Sequence, residues 1–77
     1  MSKADKILEK VMAGGSDANI RFDDLCHLLR HLGFIQRRSG GSHVVFQRGP
    51  DFVNLQNRAG KVKEYQVRQI RDILSRP

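Results

Sequence analysis

His43 is the side chain in this sequence best suited to proton transfer. Histidine as a residue type exchanges its proton close to neutral pH. His43 also follows a Gly-Gly-Ser turn, where the lack of side chains lets the backbone of a ligand approach closely. An exposed histidine on a strand is nevertheless more often merely exposed than catalytic. Position alone therefore leaves both interpretations of His43 open.

Three further residues have a chemistry to consider on the second predicted helix. His27 and His31 are four residues apart, the spacing that two metal ligands on a helix use, but no third ligand or nearby glutamate accompanies them. A solvated helix face is the better interpretation, and we expect no metal and no cofactor. Cys26 is the single cysteine, which excludes an intrachain disulfide and suits a reducing compartment. We predict that Cys26 is a small buried or half-buried residue without a chemical role.

The net positive charge of the chain comes entirely from its second half. Residues 1–36 are neutral overall, and residues 37–77 carry the whole formal net charge of +6. This asymmetry favours a surface that binds a polyanion, with a solvated basic surface as the alternative. Lys61 and Lys63 precede the last predicted helix, whose N-terminus attracts anions, although a solvated loop explains them equally well. The candidate phosphate ligands are Arg37, Arg38, Ser42, Lys61 and Lys63.

Length and composition limit the classes of protein. Seventy-seven residues make one small domain, and 39% hydrophobic residues without a long apolar run give no membrane span. The N-terminal residues lack the apolar stretch of a signal peptide. We therefore expect a soluble, cytoplasmic protein with acidic partners and no membrane contact.

The elements that position these residues follow from the apolar spacing. A helix over residues 3–13 precedes a glycine-rich joint, so residues 1–19 are interpreted as an appended segment and residues 20–77 as the main domain. The stripe of the first helix is expected to pack on its own domain, with a dimer or partner contact as the alternative. The joint is followed by a leucine-striped helix that begins near Asp23 and ends at Gly33.

Three strands and a last helix complete the predicted order. The strands cover residues 34–38, 42–48 and 52–56, and the helix covers residues 64–75, where Arg68 and Asp72 are expected to pair. This order predicts an α+β fold, α-β-β-β-α with an additional N-terminal helix. Its helices would cover one face of an antiparallel sheet and leave the other face open. If Phe46 faces the core, alternation along the strand places His43 on the open face.

Taken in order, these motifs resemble the HicA toxin family over about residues 20–76. The most specific part is the Gly-Ser-His followed three residues later by Phe, between a leucine-rich helix and a short C-terminal helix. The motifs that carry the resemblance are Phe22-Asp23-Asp24-Leu25 through Leu32-Gly33-Phe34, Arg37-Arg38, Gly41-Ser42-His43-Val44-Val45-Phe46, Gly60-Lys61 and Tyr65-Gln66-Val67-Arg68-Gln69-Ile70.

The resemblance implies a fold similar to the double-stranded-RNA-binding domain and a metal-independent endoribonuclease that cleaves mRNA and arrests translation. It further implies His43 as the catalytic residue and a HicB-type antitoxin as the protein partner. Two features depart from the family pattern. About twenty residues are added at the N-terminus, and residues 54–57 lack the proline and second histidine that many members carry. Either a second group, such as a lysine or Gln56, assists the proton transfer, or the reaction is slow.

The implied chemistry needs few protein groups, because RNA supplies its own 2′-hydroxyl nucleophile. His43 would transfer a proton, and the candidate arginines and lysines would stabilise the charge on phosphorus. Two alternatives stay open: a non-catalytic RNA-binding domain that uses the same basic face, and an inactive toxin that persists in a regulatory complex.

Overall fold

Helices and strands follow the predicted order in the computed structural model, which describes residues 2–41 and 43–76 without the side chains of Arg38 and Ser39. The fold is α+β: three helices and a three-stranded antiparallel sheet, consistent with the double-stranded-RNA-binding arrangement preceded by one helix. No helix in this described part of the chain is long and apolar enough to span a membrane. The elements are α1 (Lys3–Ala13), a 3₁₀-helix (Asp17–Asn19), α2 (Phe22–His31), β1 (Ile35–Gly40), β2 (His43–Arg48), β3 (Asp51–Gln56) and α3 (Glu64–Leu74).

The ends of the first two helices show which local signals the sequence carries. Ser2 caps α1, since its hydroxyl accepts a hydrogen bond from the backbone N–H of Asp5 at 3.2 Å. α2 begins at Phe22, one residue before the predicted start near Asp23, and its N-cap is Arg21. Asp23 and Asp24 lie in the first turn, where their negative charge stabilises the helix dipole.

The sheet has the order β1-β2-β3, and alternation along β2 follows the prediction. Phe46 is fully buried, so Val44 shares the core face and His43 points to the open face. β1 starts one residue later and ends two residues later than predicted, because Gly40 still pairs with His43. A β-bulge interrupts the β1–β2 register at Arg37, between the pairs formed by its two neighbours.

The three helices share one hydrophobic core with the sheet, with α2 and α3 contacting strands and α1 packing against these two helices. α1 contributes Ala4, Ile7 and Val11 to it, so this helix packs on its own domain as expected. The core therefore runs across the boundary drawn at residue 20, and the division into two segments stays a prediction.

Arg71 of α3 fastens the N-terminal region to the rest of the chain. Its guanidinium donates two hydrogen bonds of 2.9 Å to the Asp17 carboxylate and one of 3.0 Å to the carbonyl of Val11. The hydrogen bond from Arg71 holds the pKa of Asp17 below its ordinary value. On the outer face of the same helix, Arg68 pairs with Glu64 at 3.7 Å, so the predicted pairing with Asp72 is wrong.

Candidate functional site

His43 is the first residue of β2 and lies exposed on the open face of the sheet. It is flanked by Gly40 of β1 on one side and Gln56 of β3 on the other. Because Gly40 has no side chain, the imidazole is accessible from the β1 side. The geometry places an imidazole at the end of the open face nearest to the start of α3.

A cleft of about 310 Å³ lies between this part of the sheet and the first turns of α3. The sheet supplies one wall from its open face, and α3 supplies the other. Most of the side chains that line it are either aromatic or polar without a charge. Such a lining suits a ligand with both flat apolar and hydrogen-bonding parts. The lining residues are His43, Val45, Phe52, Asn54, Gln56, Tyr65, Gln66 and Gln69.

Gln66 holds the two walls of the cleft together. Its side-chain amide donates to the carbonyl of Asn54 at 2.9 Å, and its carbonyl accepts from the backbone N–H groups of Gln56 at 3.3 Å and Lys63 at 3.2 Å. The residue is only 3% exposed. These bonds satisfy part of the free edge of β3 and fix the start of α3 beside the strand residue that pairs with His43.

Phe52 and Tyr65 bring aromatic surface to the same cleft. Each is 55% exposed, although both are large and largely apolar. The ammonium of Lys63 lies 5.7 Å from the centre of the Tyr65 ring, within cation–π range. The Tyr65 hydroxyl is a further group that can transfer a proton, in addition to the side chain of Gln56 named in the sequence analysis.

Sequence reasoning missed Phe52, Tyr65 and Gln66 as site residues. Gln66 did carry a signal, since it falls on the helical face of Val67 and Ile70 and so places a polar side chain in an apolar stripe. For Phe52 and Tyr65 no spacing rule shows that a strand and a distant helix will share a cleft.

Of the predicted phosphate ligands, Arg37 and Lys63 lie next to the His43 cleft and Lys61 lies away from it. Arg37 lines a depression on the open face with Val45 and Phe52, both of which also line the His43 cleft. Lys63 adjoins that cleft through Tyr65. Lys61 does not line it: its ammonium lies 3.2 Å from the Oδ1 of Asn19.

Two of the predicted phosphate ligands cannot be placed. The side chain of Arg38 and the whole of Ser42 lie outside the described residues.

The residues expected to carry no chemistry lie apart from the cleft. His27 and His31 are exposed on α2, and in the described ranges no group of three or more His, Cys, Asp or Glu side chains is placed to hold a metal ion. Cys26 is 4% exposed in the core, and burial raises the pKa of its thiol. A raised thiol pKa lowers its reactivity.

Comparison with known families gives one match. A family model described as the HicA toxin of bacterial toxin-antitoxin systems matches residues 22–74, from the start of α2 to the end of α3. The match leaves out α1 and the 3₁₀-helix. No curated protein and no solved structure matches the chain.

Proposed function

The chain belongs to the HicA family of toxins of bacterial toxin-antitoxin systems, and from that membership we propose that it cleaves mRNA with His43 as a proton-transfer residue. The observation that carries the proposal is the place of His43. It is exposed at one end of the open sheet face, in a cleft bordered by Arg37 and Lys63. A cytoplasmic ribonuclease that arrests translation is the activity this arrangement supports best.

The proposed reaction is an in-line transesterification. The 2′-oxygen bonds to phosphorus, the bond from phosphorus to the 5′-oxygen breaks, and the products are a 2′,3′-cyclic phosphate and a 5′-hydroxyl end. His43 takes the proton of the 2′-hydroxyl, and a second donor protonates the leaving 5′-oxygen. Tyr65 is the candidate donor within the cleft. Arg37 and Lys63 stabilise the charge that develops on the phosphate.

The protein partner in this proposal is a HicB-type antitoxin. The open sheet face is the surface it would cover, because an inhibitor bound there hides His43 from RNA. The opposite face of the sheet is already covered by the hydrophobic core.

The test is digestion of a single-stranded RNA in the presence of a chelator. His43→Ala is expected to lower the cleavage rate by about 10²- to 10⁴-fold, the usual contribution of a general acid or base. His27→Ala is the matched control, since His27 is also exposed but lies on α2 away from the cleft. Fragments with 5′-hydroxyl ends from the unaltered protein and from His27→Ala alone would support the proposal.

A second candidate function is RNA binding without cleavage. It is favoured by the small number of titratable groups in the cleft, which are His43 and Tyr65 among the described residues. If neither the unaltered protein nor the two variants cleave RNA, but all three bind it with a steep dependence on salt, this second function replaces the first.

A further inference from the structure

We infer that Phe52 and Tyr65 hold an unstacked base of the RNA beside His43, so that the protein selects unpaired rather than duplex RNA. The inference rests on the proposed function in taking RNA as the ligand. It starts from an imbalance in how the aromatic residues are buried. Phe34 and Phe46 are 4% and 0% exposed, whereas Phe52 and Tyr65 are each 55% exposed.

The two exposed rings occur together and not as scattered surface residues. Phe52 comes from β3 and Tyr65 from α3, and both line the cleft that contains His43. They also both line the adjoining larger cleft of about 580 Å³, where Arg68 and Arg76 are balanced by Asp51 and Asp72. The imidazole and the two aromatic rings therefore lie along one continuous surface.

Charge indicates which occupant suits these rings. Positive side chains stand next to both of them: Arg37 lines a depression with Phe52, and Lys63 lies over the ring of Tyr65. Aromatic rings interleaved with cations are the arrangement that binds single-stranded nucleic acid, because the rings stack on bases while the cations meet the phosphates. A purely apolar partner surface would leave these cations to be desolvated without a counter-charge.

The polar lining fits the edges of a base. Asn54 and Gln56 present amide donors and acceptors on the open face in the same cleft. Gln66 is not available for this role, since its amide is already bonded to Asn54, Gln56 and Lys63. Bases in a duplex are stacked on their neighbours and cannot enter such a cleft, whereas bases of single strands and loops can.

The test measures binding with cleavage removed. In the His43→Ala background, the affinity for a fluorescent single-stranded RNA is compared with that for a duplex of the same sequence. Phe52→Ala and Tyr65→Ala are each expected to weaken single-strand binding by about 5- to 150-fold, the range for loss of one stacked base. Tyr65→Phe keeps the ring and is expected to restore the affinity. Ile35→Ala is the control, because Ile35 is 64% exposed on the same sheet face but does not line the cleft.

Each outcome separates this inference from the proposed ribonuclease. If the unaltered protein does not cleave but Phe52→Ala and Tyr65→Ala lose single-strand binding, the base site stands and the ribonuclease fails. If the protein cleaves while Phe52→Ala binds like Ile35→Ala, the base site is refuted. Equal or tighter binding of the duplex also refutes it, and the exposed rings are then assigned to a protein partner.

Discussion

Replacing Gln66 by leucine should destabilise the fold and loosen the candidate site together. The buried side chain makes three hydrogen bonds, to Asn54, Gln56 and Lys63. Each net bond of this kind is worth about 0.5–1.5 kcal/mol, and leucine leaves all three backbone partners unpaired. Allowing for the apolar surface that leucine buries, we expect Gln66→Leu to lower the free energy of unfolding by roughly 2–3 kcal/mol.

This loss is large for so small a domain. At about 0.05–0.15 kcal/mol per residue, the whole chain has a stability of roughly 4–12 kcal/mol. A change of 1 kcal/mol shifts the Tm of a domain of this size by about 4–8 °C, so Gln66→Leu should lower it by roughly 8–24 °C. Most of the protein should remain folded at room temperature, which allows its RNA cleavage to be measured as well.

Thermal unfolding followed by circular dichroism measures the effect, with Gln69→Leu as the matched control. Gln69 lies one turn further along the same helix, is exposed, and makes one long bond of 3.5 Å to the carbonyl of Phe52. Its replacement should change the Tm by less than about 3 °C, as expected for a surface substitution. Equal Tm values for the two variants would refute the argument that Gln66 fixes α3 to the edge of β3.

Three further predictions concern other parts of the chain. Ala59 has a φ of 53° in the tight turn before Lys61, a left-handed backbone conformation that strains any residue with a Cβ. Ala59→Gly should therefore raise the free energy of unfolding, measured by urea denaturation, by about 1 kcal/mol. An unchanged free energy would refute the strain. Arg71 lowers the pKa of Asp17 in the folded state, so the stability from this pair is present above the ordinary pKa of 3.8 and is lost as pH falls below it. Asp17→Asn should therefore have a lower Tm than the unaltered protein at pH 7, with the gap closing below about pH 4, and a gap independent of pH would contradict this. Lys63→Ala should slow RNA cleavage more than Lys61→Ala, because the Lys61 ammonium is hydrogen-bonded to the side chain of Asn19. The reverse order would refute the role of Lys63 in binding the phosphate.

The fold was predictable because its signals are local. Apolar spacing located the helices, and the period of two along β2 placed Phe46 in the core and His43 on the open face. Helix starts were less predictable, since α2 begins directly after Arg21 and not at an aspartate. The N–H of its first residue, Phe22, donates to the carbonyl of Gly60, which lies 38 residues later in the sequence. No local pattern reports such a bond.

The candidate site was predictable only in part, for the same physical reason. Periodicity shows which face of a strand a residue occupies, but not which element borders that face. The sequence therefore placed His43 on the open face but treated Lys61 and Lys63 alike, although only Lys63 adjoins the cleft through Tyr65. Phe52 and Tyr65 were missed because their shared cleft depends on how α3 packs beside β3, where Gln66 bonds to Asn54.

The bulge at Arg37 shows how one backbone irregularity sets the surroundings of the site. Before it, Ile35 pairs with Gln47; after it, the register is shifted by one residue, so that Gly40 pairs with His43. Gly40 does not have a positive φ, and a Cβ there would meet no atom within 4 Å. Conformation does not require glycine at this position. What glycine supplies is open space beside the imidazole, which keeps His43 accessible from β1 while α3 closes the opposite side.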